Sequence, residues 1–226
     1  MPEPYVLIMS PLDDFDVPHL PKTAMTREII DLVTEAENAS LANHSFRSYL
    51  FARLAANDRD LTPGADYDPE LLFASCLLHD IGLTDKGDRG QRFEVNGADV
   101  AADILLRYGR PWREIDAVWQ AIALKTSPGI AERRGTIAEL TCAGASIDFG
   151  QGAAFIPDPL AAAVHRAYPR LAIARALTDA VIAHARRTPD GAPPFSLAAE
   201  LVRQREVPDN PSILETLAES SRWGSD

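Results

Sequence analysis

The 226-residue sequence predicts an all-α fold, and three observations carry that prediction. From Ala24 onward nearly every segment places apolar residues at a period of 3.6, and Pro, Gly, Asp and Thr fall at the joints between segments. The stretch LLFASCLLHDIG (71–82) is apolar all round, as the central helix of a bundle must be. Before Ala24, Pro and Asp interrupt any helical period. The expectation is one helical domain over residues 24–226, preceded by an extended N-terminal arm over residues 1–23.

Taken in order, the first helix is expected over residues 26–38, where Ile29, Ile30 and Val33 set the buried stripe, and the second over 41–57. The third begins at Asp68, a good N-cap, with Pro69 at the first helical position, and is expected to end at Gly82 in a left-handed cap. A charged loop, TDKGDRGQR, separates it from helices over 94–108 and 111–125, and Ser127-Pro128-Gly129 breaks the chain after them. The helix over 136–149 carries Ala143, Gly144 and Ala145, small enough to let a neighbour approach closely. Further helices fit 159–168, 171–187, 195–205 and 212–221. Trp112 and Trp119 recur two turns apart, a spacing that suits core or subunit contact. Apolar residues clustered on the C-terminal helices predict a homodimer.

Composition narrows the partners. A formal charge of −11 and a pI near 4.9 argue against the clustered Lys and Arg that grip phosphate backbones, so no nucleic acid is expected. No run is long and apolar enough to span a bilayer, and the arm lacks the basic-then-apolar layout of a secretory signal, which predicts a cytoplasmic protein with no membrane partner. Cys76 and Cys142 show no zinc-finger spacing and read as buried free thiols.

Ionisable residues inside buried helices are costly unless paired or bound to a metal. His44 shares a face with Leu41, Ser48, Phe51 and Ala55; His79 and Asp80 end the most apolar helix; Asp148 continues an inward stripe that runs through Ile137 and Gly144. Singly, each has a simpler role: a hydrogen-bonded core His, a His-Asp cap at a helix end, a turn residue beside Gly150. Together, two imidazoles and two carboxylates suit one divalent ion of intermediate softness, such as zinc, iron or manganese, with positions open for water.

The order of a helical His, a His-Asp pair closing a buried helix, and a later lone Asp resembles the HD superfamily of metal-dependent hydrolases. NHSFRSYLFA (43–52), LLHDIGLTD (77–85), RFEVNGADVA (92–101) and AIALKTSPGIA (121–131) resemble its cyanamide hydratase-like branch. The resemblance implies a single HD-type helical domain, one bound zinc or iron held by His44, His79, Asp80 and Asp148, and addition of water to a small cyanamide-like or nitrile-like carbon. Dinuclear relatives add two histidines. Here those positions fall near Phe93 or Glu94 and at Lys125, so one metal is expected, since a protonated Lys is a poor ligand.

Around the ion, Lys125 would reach inward to orient an anionic substrate or move a proton, or else sit at the surface on its helix C-terminus. Glu94 is either a first-turn acid or a hydrogen-bond partner of a ligand or substrate, and Asp80 joins these two as a catalytic candidate. Arg47 and Asp85 are candidates to support the ligands, Thr126 and Ser127 to offer hydroxyls at the mouth. His19, His165 and His184 read as surface or packing residues. Two rival functions remain open at this point. A nucleotide phosphohydrolase would use Lys86, Arg89, Arg92 and Lys125, and a non-catalytic binding protein would carry a degenerate site. Iron-dependent oxygenase chemistry would generally need the second metal.

Overall fold

The computed structural model describes residues 19–224; most of the expected N-terminal arm lies outside that range. Ten α-helices follow one another: α1 (Ala24–Ala36), α2 (Ala39–Asp58), α3 (Pro69–Leu78), α4 (Phe93–Arg107), α5 (Trp112–Ala123), α6 (Thr136–Asp148), α7 (Asp158–Ala167), α8 (Ile173–Arg187), α9 (Leu197–Arg205) and α10 (Ile213–Ser220). No strand occurs among the described residues, and no helix there is long and apolar enough to cross a membrane.

Side-chain caps open half of these helices. The Thr23 side chain caps α1 in a reciprocal arrangement with Thr26, Asn38 accepts from the amides of Ser40 and Leu41 to open α2, and Asp68 accepts from Glu70 and Leu71 to open α3. Ser212 and Glu215 form a capping box on α10.

Every residue of α3 from Leu71 to Leu78 is buried, which makes it the central helix expected of its apolar stretch. It does not run on to Gly82. The α-helix stops at Leu78, His79 and Asp80 lie in the turn beyond, and a short 3-10 helix, Ile81–Leu83, follows. Nor is Gly82 in the left-handed region; a side chain there would collide with the Phe93 carbonyl and the Gly97 amide. Its smallness lets the turn pass directly beneath the N-terminus of α4.

Helix α2 runs through the middle of the molecule and packs most extensively on α6. Gly144 permits that approach, because a Cβ would strike the Ser48 carbonyl and Ala52. The two helices carry His44 and Asp148, so their close packing sets the distance between two candidate functional side chains. One apolar core joins α1 to α6 through residues such as Ile29, Tyr49, Phe73 and Ile122. A second core gathers Leu177, Val181 and Leu201 from α8 and α9 against Leu41, Leu83, Phe93 and Phe149. His44 lies one turn from Leu41, beside Phe149 and at the junction of the two cores.

Candidate metal centre

Three chain segments converge here. His44 projects from the middle of α2, His79 and Asp80 occupy the turn that ends α3, and Asp148 is the last residue of α6. All four side chains are at most 2 % exposed.

Each imidazole is oriented by an acceptor at its back. Nδ1 of His44 donates to Asp148 Oδ2 at 2.7 Å, and Nδ1 of His79 donates to the Cys76 carbonyl at 2.7 Å. With a proton committed to each Nδ1, each neutral ring presents a lone pair at Nε2. The two Nε2 atoms face one another at 3.2 Å. Asp80 Oδ2 lies 3.2 Å from the His79 nitrogen and 3.8 Å from the His44 nitrogen, and it has no hydrogen-bond partner although fully buried.

With both rings neutral, as metal ligands are, three electron-rich atoms point at one another with no proton between them. A divalent cation resolves that arrangement, and two imidazoles with one carboxylate form a suitable donor set with room for further ligands. The residues fit the group. Burial holds the His79 pKa below its ordinary value, keeping the ring neutral as a ligand must be. Burial by itself would raise the pKa of Asp80, but the charges of His79, whenever that ring is protonated, and of Lys125 beside it prevail and hold its carboxyl well below the usual range.

Asp148 stands apart from this set. Its carboxylate is taken up on the far side of His44: Arg47 clamps it with Nε on Oδ1 and Nη2 on Oδ2, both at 2.7 Å, while Arg170 donates to its carbonyl. Although burial opposes the charge, the Arg47 guanidinium keeps Asp148 ionised far below the ordinary carboxylate range. The structure therefore brings together three of the four expected ligands and places the fourth behind His44, where it fixes the ring's orientation and tautomer. The reason is Arg47, three residues along α2 from His44, which captures both Asp148 oxygens.

Lys125 points inward. Its side chain is 6 % exposed, and its ammonium donates to the His79 carbonyl at 2.7 Å and to Asp80 Oδ1, lying 4.8 Å from the centre of the Phe93 ring. The single Asp80 carboxylate thereby divides its oxygens, one to the lysine and one toward the imidazoles. Glu94 is buried but does not line the cavity: Arg92 pairs with it at 3.0 Å, and it accepts from the Thr126 hydroxyl at 2.6 Å. It positions Thr126, which does line the cavity. Asp85 is exposed, and Ser127 belongs to the turn after α5.

A cavity of about 160 Å³ opens from the triad. Its polar end consists of His44, His79, Asp80, Lys125 and Thr126; Phe93, Phe149, Ala145, Ser146, Gln151 and aliphatic side chains from α8, α9 and α10 line the rest. Cys142 borders it, but burial raises the pKa of its thiol, and Cys76 in the core is pushed up to about 12. Both cysteines are free, inert thiols.

Two buried groups escaped the sequence reading. Arg170 follows Tyr168-Pro169 in what reads as a connecting loop, and no local pattern marks it. Glu37, between α1 and α2, is 7 % exposed; it accepts one hydrogen bond from Ser45 at 3.2 Å, while its other oxygen has none. Burial, reinforced by the negative Asp80, raises its pKa well above the ordinary value. The histidines outside the site pack: His184 is fully buried against the Gln91 carbonyl, and His165 meets Trp223 edge-on.

Residues 41–183 match the HD domain family, the span that carries all the converging side chains. Two proteins of Saccharomyces cerevisiae, cyanamide hydratase DDI2 and cyanamide hydratase DDI3, are each 28% identical over 157 residues, covering 67% of this chain and 68% of theirs. With the ordered His, His-Asp and Asp residues on buried helices and a match across most of its length, this chain belongs to the HD domain family.

Proposed function

We propose that the protein is a metal-dependent hydratase that adds water across the carbon–nitrogen triple bond of a small cyanamide-like or nitrile-like molecule, using one zinc or iron ion. The observation that carries this reading is the convergence of two imidazole lone pairs and an orphaned Asp80 oxygen at the closed end of a small cavity. The ion held by His44, His79 and Asp80 would supply Lewis acidity and a water of lowered pKa.

The chain's own residues do the rest. Of the three N–H groups of Lys125, two are spent on His79 and Asp80, which leaves one to meet a substrate nitrogen in the cavity. Negative charge grows on that nitrogen as oxygen bonds to carbon, and a fixed ammonium stabilises it and supplies a proton. The net change is addition of one water: both π bonds of the C≡N give way to one C=O, two protons end on nitrogen after tautomerisation and the water reprotonates Lys125, which yields an amide or, from cyanamide, urea. The burial of His44, His79 and Asp80 lowers the local polarity and strengthens these interactions. The similarity to two cyanamide hydratases supports the same reaction class.

Phosphate-ester hydrolysis is less well supported. Lys86 pairs with Glu35, Arg89 with Asp103 and Arg92 with Glu94, and none of the three lines the cavity, so Lys125 alone would face a phosphate. Elemental analysis of the purified protein together with an assay for amide release tests the proposal. One equivalent of metal and turnover of cyanamide or a nitrile are expected, both abolished in His79→Ala; a metal-free protein, or nucleotide turnover without amide formation, overturns it.

A further inference from the structure

The cavity is larger and greasier than an unsubstituted cyanamide requires. Its triad end is polar, and beyond it the lining is Leu177 and Val181 of α8, Leu197 of α9, and Leu214 and Leu217 of α10, with the uncharged Ser146 and Gln151 beside them. No charged side chain reaches that wall. Leu197, Leu214 and Leu217 are the inward residues of short amphipathic helices, yet they are only partly buried, because what they face is the cavity and not another side chain. All three lie beyond residue 183, where the match to the HD domain ends, so this wall is supplied by the chain's own C-terminal helices.

Size sets the ligand. An enclosed apolar cavity of about 150 Å³ accepts a benzene molecule; the cavity here, polar at the triad and open to solvent at its other end, measures about 160 Å³. Cyanamide is a fraction of that size and is polar throughout; bound at the triad it would leave the leucine wall facing empty space or poorly held water. A molecule with its reacting cyano group at the triad and an apolar substituent of about six carbons against α8 to α10 would fill both ends.

We infer that the substrate is a nitrile or substituted cyanamide bearing a benzene-sized apolar group, and that Leu177, Val181, Leu197, Leu214 and Leu217 select it. This rests on the hydratase reading for the chemistry at the triad, whereas the apolar seat rests on the cavity alone.

Two measurements separate the claims. The first compares kcat/KM of the zinc-loaded protein for cyanamide, acetonitrile, phenylcyanamide and benzonitrile. The aromatic members are expected to exceed the unsubstituted ones by at least about tenfold, the lower end of what one methylene group is worth in a fitted pocket. The second follows binding of benzamide, the product of benzonitrile hydration, and of benzene itself, by thermal shift and calorimetry. Leu217→Phe, which fills the seat, should reverse the preference toward cyanamide and abolish benzene binding, while Leu214→Ala should favour larger rings. Should one variant not fold, the other still tests the wall. Turnover with cyanamide preferred and no benzene binding overturns the inference and leaves the hydratase reading standing. Benzene binding that Leu217→Phe removes, with no nitrile turned over, supports the seat and overturns the hydratase reading; no binding and no turnover overturns both.

Discussion

His44 donates from Nδ1 to Asp148 Oδ2 at 2.7 Å, and Arg47, one helical turn further along α2, grips both oxygens of the same carboxylate. The geometry makes Asp148 the support of the His44 ring. Asp148→Asn is therefore expected to bind one equivalent of metal still, with affinity lowered about 10–100-fold, the usual cost of losing such a supporting group. The variant should also lose on the order of 3–5 kcal/mol of stability, because Arg47 keeps its buried charge without a partner. Metal titration and chemical denaturation check the two effects separately; complete loss of metal from a folded variant would show that Asp148 binds the ion itself.

Lys125→Met removes the ammonium and preserves much of the side-chain volume. Metal content is expected to hold, because the two imidazoles and Asp80 remain, while kcat falls about 10²-fold or more with a smaller change in KM. Steady-state kinetics on protein of verified metal content decides this. A variant of undiminished kcat would restrict Lys125 to holding Asp80 in place.

Glu37 offers a test by pH. Its carboxyl titrates well above the ordinary value near 4.5 in the folded protein, so above 4.5 the unfolded chain releases this proton before the folded one does. Stability contributed by the protonated group is then lost as pH rises from about 4.5 through the raised folded value. Glu37→Gln cannot ionise. Its melting temperature should exceed that of the parent by a margin that widens with pH across that window, about 2–4 °C for each kcal/mol recovered. Parallel melting curves at all pH values would refute it.

Gly144→Ala tests the seam between α2 and α6. The added methyl collides with the Ser48 backbone, which cannot swing aside as a side chain could, so a loss of about 1–3 kcal/mol or more is expected. Since the seam also sets the separation of His44 and Asp148, metal affinity should fall along with stability. Denaturation curves and metal titration on the same preparation measure both.

The helices and the central place of α3 were legible because apolar period and capping chemistry are local properties of the chain. His44, His79 and Asp80 were legible as a group since each is a polar residue on an otherwise buried face. What the sequence did not show was the competition for Asp148: a stripe of inward residues gives a side chain's direction but not which neighbour claims it, and Arg47 and Arg170 come from segments 101 and 22 residues away. The same limit applies to Glu94, read from the sequence as either a first-turn acid or a partner of a ligand or substrate, whose actual partners, Arg92 and Thr126, hold it away from the cavity. The leucine wall was hidden for another reason. Leucines on amphipathic helices read as ordinary core, and only packing reveals that some of them face a void.

The guanidinium of Arg47 is wholly enclosed, with Asp148 and the carbonyls of Tyr168 and Pro169 as its acceptors. The members are not equal: without Arg47, Asp148 keeps Arg170 at 3.4 Å, whereas without Asp148 the Arg47 charge is stranded away from water. In evolutionary terms the positions are epistatic in one direction: drift can leave the cluster more gently through Arg47 than through Asp148.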